Sequence, residues 1–152
     1  MIDTMRVLHR LELVTGYLRH LRAVAGLTRE AFLADPLAMG AAESYLRRSL
    51  EAIFDVGRHI LAKTGHVDMA EEYKAIARGL VHHGVVSQVN AQPLLEMAGY
   101  RNRMVHFYHE ITAEELYDIV QSGIPDIERL VQELSAFAQR HHKLGSGPEG
   151  KN

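Results

Sequence analysis

Residues 45–65 read YLRRSLEAIFDVGRHILAKTG, and within them Leu46, Leu50, Ile53, Phe54, Gly57, Ile60 and Leu61 fall on one stripe of a helix. Upstream, Asp35-Pro36 supplies a capping side chain followed by a proline at the first helical position. The spacing therefore predicts a helix from Pro36 to about Lys63, ended by Gly65. Working toward the N-terminus, Val7, Leu11, Val14, Leu18, Leu21 and Ala25 alternate steps of four and three. They predict a helix from about Asp3 to Ala25, closed by Gly26. Downstream, a third helix is expected from near Asp68 to Gly84 and a fourth from about Pro93. A fifth opens at Thr112-Ala113-Glu114-Glu115, a capping box in which Thr112 caps and Glu115 reaches back. Gly123 and Pro125 interrupt its apolar pattern, and a kink or short break is expected there because proline removes a backbone donor.

No segment alternates as a strand does, and no internal repeat is present. The expectation is all-α: an up-and-down bundle of about five helices in one domain, residues 1–144. Residues 145–152 are polar and glycine-rich and read as a loose tail.

Composition narrows the function. The 152 residues are 47% hydrophobic and 24% charged, with no cysteine, so neither disulfides nor thiolate metal sites contribute. No apolar run approaches the roughly 20 residues needed to span a bilayer. The N-terminal stretch MIDTMRVLHRLELV lacks the layout of a signal peptide, and a cytoplasmic protein with no membrane partner is expected. A formal net charge of −2 argues against a strongly basic nucleic-acid binder. Any RNA contact must come from local clusters such as Arg47 with Arg48, or Arg101 with Arg103. The doublets His82-His83 and His141-His142 read as solvated surface, and Tyr45 and Tyr73 as aromatics packed at helix contacts.

The residues that break the pattern lie in Tyr100-Arg101-Asn102-Arg103-Met104-Val105-His106-Phe107-Tyr108. Leu94, Met97, Ala98, Met104 and Val105 form the apolar stripe of this helix, and Arg101 falls on the same stripe. A guanidinium there must be paired or open onto a cleft, because burying it alone is very costly. Asn102 lies four residues before His106 and can orient its imidazole. Arg101 and His106 stand roughly 140° apart on an ideal helix, yet both reach one phosphate if the helix ends near His106. On spacing alone, an arginine and a histidine near a helix end are more often a surface pair and a C-terminal cap.

Arg101, His106 and Tyr108 match the R-x4-H-x-Y motif, and Glu51, Asp55 and His59 form an E-x3-D-x3-H core within 45–65. Glu72-Tyr73, Gly84-Val85-Val86, Leu95-x-Met97 and Tyr117-Asp118-Ile119 follow in matching order. From about Arg6 to Phe137 the chain resembles the HepT-like branch of the HEPN superfamily, whose members often have a small residue where Phe107 stands. That resemblance implies a helical homodimer that cleaves RNA without metal or cofactor, the toxin of a toxin–antitoxin pair. Arg101 and His106 would be the catalytic pair, with Asn102 in support and Glu51, Asp55, His59 and Arg103 supporting the cleft. It further implies a minimal nucleotidyltransferase (MNT) antitoxin as partner, attaching AMP to Tyr108; without the resemblance, Tyr108 reads as a core aromatic.

Two other readings stand beside this one. A non-catalytic helical module that binds nucleotide or a nucleotidyltransferase subunit fits the acidic balance. A metal-dependent bundle enzyme would draw on Glu51, Asp55 and His59, at i, i+4 and i+8 on one helix flank, but no matching partner helix is evident.

Overall fold

The helix read from residues 45–65 is the spine of the molecule. It runs Pro36–Lys63 (α3), and Leu46, Leu50, Ile53, Phe54, Ile60 and Leu61 are all buried. Asp35 caps it as expected, its carboxylate accepting from the backbone N–H groups of Leu37 and Ala38. The computed structural model describes residues 1–66, 72–105 and 111–145. Around α3 stand α1 (Thr4–Ala25), α2 (Arg29–Leu33), α4 (Tyr73–His82), α5 (Ala91–Val105) and α6 (Ala113–Gly145), and α3 touches all five. A 3-10 turn, Gln88–Asn90, leads into α5. The described residues contain no strand, and the all-α bundle is as the periodicity requires.

Four details depart from the sequence reading. The short α2 was not anticipated: Thr28 caps it by accepting from Ala31, and its reason for folding is Phe32, fully buried against the Tyr117 ring at 5.3 Å. The helix expected from Asp68 begins instead at Tyr73, because Glu72 is extended and its carboxylate accepts from Ala75 N–H; Asp68 itself lies outside the described residues. No break occurs at Gly123–Pro125, and α6 continues through the proline. An interior proline costs about 3 kcal/mol. Ile119, Val120, Ile124, Ile127, Leu130 and Leu134 are buried along that one face, each worth about 1.5–3 kcal/mol, so burial wins. The helix also carries on to Gly145; the rest of the expected tail, 146–152, lies outside the described residues.

Two glycines set the turns at one end. Gly65 at φ +89° and Gly84 at φ +71° take the left-handed conformation that closes α3 and α4. There the His66 and His83 rings stack at 3.4 Å, with His82 edge-on to His83 at 4.9 Å. His83 is thus half-buried and packed, contrary to the solvated doublet expected of it. At the other doublet, His141 lies on Phe137 at 4.2 Å while His142 is exposed.

A third glycine sets a distance. A Cβ on Gly57 would come within 2.8 Å of Leu80 Cδ1 and 3.0 Å of Ile76 Cγ2, so α4 packs onto α3 more closely than any side chain there allows. The N-terminus is tied down separately, by the Asp3 backbone N–H donating to His59 Nε2 at 3.0 Å. This bond requires a neutral imidazole. Burial, then the Arg6 and Lys63 charges, hold His59 below the ordinary histidine range, against the smaller opposing effect of Asp3.

Two predictions follow from this packing. Gly57→Val should lower unfolding stability by about 1–3 kcal/mol, whereas Gly40→Ala, where nothing lies within 4 Å of the new methyl, should raise it by about 0.5–1 kcal/mol; urea denaturation reads both. Because His59 is harder to protonate in the folded chain, the unfolded chain binds more protons as pH falls, so its contribution is complete above the ordinary histidine range and is lost as pH falls through the folded-state value. His59→Gln keeps an acceptor for Asp3 but cannot titrate. Its stability should therefore change less between neutral and mildly acid pH, and an unchanged slope would count against the assignment.

Candidate functional site

The site grows from the buried stripe of α5. Leu94, Met97 and Ala98 lie in the core, and the next position on that stripe is Arg101. Its side chain is only 19% exposed. The guanidinium carbon sits 4.3 Å from the centre of the Tyr73 ring, and Nη2 lies 3.7 Å from Glu51 Oε1. The first contact is a cation held on an aromatic face. The second is an ionic contact too long to be a hydrogen bond. Arg101 Nε is buried and makes no hydrogen bond. The expectation that this arginine must be paired or open onto a cleft is met in an unusual way: charge is compensated, but donors are left over.

Three elements deliver these groups. Glu51 projects from α3, where Arg47 also approaches it at 3.8 Å while donating to Glu43 at 3.1 Å. Tyr73 is the first residue of α4, fixed by the Glu72 cap, and its ring meets that of buried Phe54 edge-on at 5.0 Å. Arg58 approaches the same tyrosine ring at 5.8 Å. Tyr73 was expected only to pack at a helix contact. Its place beneath Arg101 was missed, because nothing in the spacing joins residues 28 positions apart.

The structure separates the other members of the E-x3-D-x3-H core. Asp55 pairs with Arg10 at 3.2 Å and with Arg58 at 3.1 Å, and His59 is occupied by the Asp3 amide. Only Glu51 reaches Arg101. Among the described residues no three carboxylates or imidazoles group as they would to hold a metal ion. Arg48, read with Arg47 as a local basic cluster, lines a surface groove between α1 and α3 with Tyr17, His20 and Tyr45.

Arg103, two residues beyond Arg101, faces elsewhere. Its two Nη atoms donate to both Glu115 carboxylate oxygens at 2.5 and 2.7 Å. This hydrogen-bonded pairing holds the Glu115 carboxyl below its usual range and raises Arg103. The capping box is thereby only half formed: Thr112 Oγ1 accepts from Glu115 N–H at 3.1 Å, but the glutamate reaches Arg103 rather than back to its own cap. The pair ties the end of α5 to the first turn of α6 across the intervening segment. His106, Phe107 and Tyr108 fall in that segment, 106–110, outside the described residues. Asn102 is half-buried beside Arg101.

Known proteins share this sequence pattern and fold. Residues 14–134 match the model of the family described as Ribonuclease HepT-like. A relative from Aphanizomenon flos-aquae (strain 2012/KM1/D3), named tRNA nuclease HepT, is 23% identical over 128 residues, spanning 84% of this chain and 86% of its own. A solved structure of a tri-AMPylated Shewanella oneidensis HEPN toxin in complex with MNT antitoxin superposes with a TM-score of 0.75. It is 21% identical and covers 90% of this chain and 99% of that one. A toxin–antitoxin crystal structure with AMP-PNP gives a TM-score of 0.73 at 20% identity, covering 86% and 98%. The fold is the HEPN fold, and with four-fifths of its length matched the chain belongs to the ribonuclease HepT-like family.

Proposed function

We propose that this protein is the toxin of a toxin–antitoxin pair, an endoribonuclease that cuts RNA without a metal ion at a site built on Arg101 and His106. The observation that carries this reading is the state of Arg101. A positive charge is held under cover on an aromatic face, beside a carboxylate that takes none of its hydrogen bonds, with Nε buried and unanswered. An unmet buried donor costs about 1–3 kcal/mol. A phosphodiester, with charge and several acceptor oxygens, suits the guanidinium donors that Glu51 leaves unbonded. Family membership, the nuclease name of the Aphanizomenon relative and the toxin complexes of matching fold all support the same reading.

The chemistry needs no more than these side chains. The 2′-hydroxyl attacks the adjacent phosphorus, a new P–O bond forms, and the bond to the 5′-oxygen breaks. One imidazole takes the 2′-proton and an imidazolium gives a proton to the departing oxygen, tasks suited to a group titrating near neutrality. Arg101 meets the charge that builds on the phosphoryl oxygens. Two protomers of a homodimer supply two copies of the motif to one cleft, and His106 of each takes one of the two roles. Asn102 holds the imidazole. Val105, apolar and 39% exposed immediately before His106, is surface that such a second protomer covers.

Regulation follows from Tyr108. An MNT antitoxin partner transfers the adenylyl group of ATP to the tyrosine oxygen with release of pyrophosphate. A phosphodiester two residues from His106 then competes with substrate for Arg101, by the same electrostatics that operate in phosphorylation.

Arg101→Ala and His106→Ala should each lower RNA cleavage by at least about 10²-fold and abolish growth arrest on expression, with EDTA leaving the wild-type rate unchanged. Cleavage retained by either variant would exclude the pair. Loss with EDTA, restored by a divalent cation, would exclude the metal-free mechanism, and intact growth arrest in both variants would favour a non-catalytic binding module. Incubation with a cognate MNT antitoxin and ATP should add adenylate to the wild-type chain and none to Tyr108→Phe. Mass spectrometry reads the difference, and equal labelling of the two would place the modification elsewhere.

A further inference from the structure

Arg101 carries two requirements that ordinarily conflict. It must be held still, because a catalytic cation displaced by about 1 Å loses on the order of 10²-fold in rate. It must also keep its donors open, because a guanidinium bonded edge-on to a carboxylate has two of its five N–H donors already taken. All five N–H groups of arginine lie in the plane of the group, and the face carries none.

We propose that Tyr73 is the positioning residue for Arg101, holding the guanidinium by its face so that the in-plane donor edge stays open to substrate phosphate. This rests on the reading of Arg101 as the phosphate-binding group. Four observations support it. The guanidinium carbon is 4.3 Å from the ring centre, closer than any other arginine–aromatic approach among the described residues. The carboxylate that balances the charge, Glu51, stands off at 3.7 Å and accepts no hydrogen bond from Arg101. Nε is buried with no acceptor. The tyrosine is itself fixed from two sides, by the edge-on contact with buried Phe54 at 5.0 Å and by the Glu72 carboxylate accepting from Ala75 at 2.9 Å.

The hydroxyl plays no part in this arrangement; the π face does. The decisive experiment therefore varies the face and leaves the shape alone. In the full-length protein, Tyr73 is replaced by phenylalanine and then by mono-, di- and trifluorophenylalanine, which drain negative charge from the ring stepwise while nearly preserving its size. Tyr73→Phe should cleave RNA within about twofold of wild type, and kcat should then fall with each fluorine at nearly constant melting temperature. Tyr73→Leu, which removes the ring, should lose about 10- to 100-fold in kcat.

A flat fluorine series overturns the proposal, and it does so even if Tyr73→Leu fails to fold. Arg101→Ala measured alongside separates the two levels of inference. If it still cuts RNA, the nuclease reading itself falls. If it is inactive while the fluorine series is flat, only the role of Tyr73 falls.

Discussion

A cation on the apolar stripe of a helix is the constraint around which this molecule is arranged. Position 101 continues the row made by Leu94, Met97 and Ala98, and any apolar side chain there would extend the core at no electrostatic cost. Placing arginine instead forces neighbouring elements to provide compensation, since an uncompensated charge under cover costs several kcal/mol. The compensation comes from α3 as a carboxylate at arm's length and from α4 as an aromatic face. Neither contribution is local to α5, so the site exists only once the tertiary fold does.

That dependence runs through Gly57. On α3, Phe54 and Gly57 lie about one turn apart; on α4, Tyr73, Ile76 and Leu80 share one face. Without a Cβ at 57, Ile76 and Leu80 settle directly onto the α3 backbone. The same approach, carried one turn toward the start of α4, brings the Tyr73 ring against Phe54 and beneath Arg101. A packing decision in the core thus fixes the height of the platform beneath the Arg101 guanidinium. The cap on Glu72 adds the final restraint by fixing where α4 begins.

The fold was largely legible because helical periodicity is a local property. The stripes of α1 and α3, the Asp35-Pro36 start and the glycines at 65 and 84 each depend on residues close in sequence. What escaped was decided at a distance. Pro125 breaks helices in isolation, but the buried face on either side of it holds α6 continuous. Thr28 and Phe32 make a helix of five residues only because Phe32 finds Tyr117. The oddity of Arg101 was visible in the sequence, as was the need to compensate it, and the family motif named it; the partner ring was not visible. Glu51, Asp55 and His59 looked like one cluster because they share a flank of α3, yet α5, α1 and the N-terminus each claim one of them.

Arg101 and Arg103 show what separates the arginine proposed for catalysis from its neighbour. They stand two residues apart on the same helix and carry the same charge, so charge alone does not distinguish them. Donor geometry does. Both Nη atoms of Arg103 are engaged by the Glu115 carboxylate in a bidentate pair, which suits a clasp across 106–110, the segment that contains His106. Binding substrate through those same donors would require breaking a charge-assisted pair first. Arg101 is restrained through its face and its net charge, leaving donors to be satisfied by whatever anion arrives. Under the proposed function a phosphate would gain hydrogen bonds at Arg101 without displacing any, whereas at Arg103 it would have to displace Glu115.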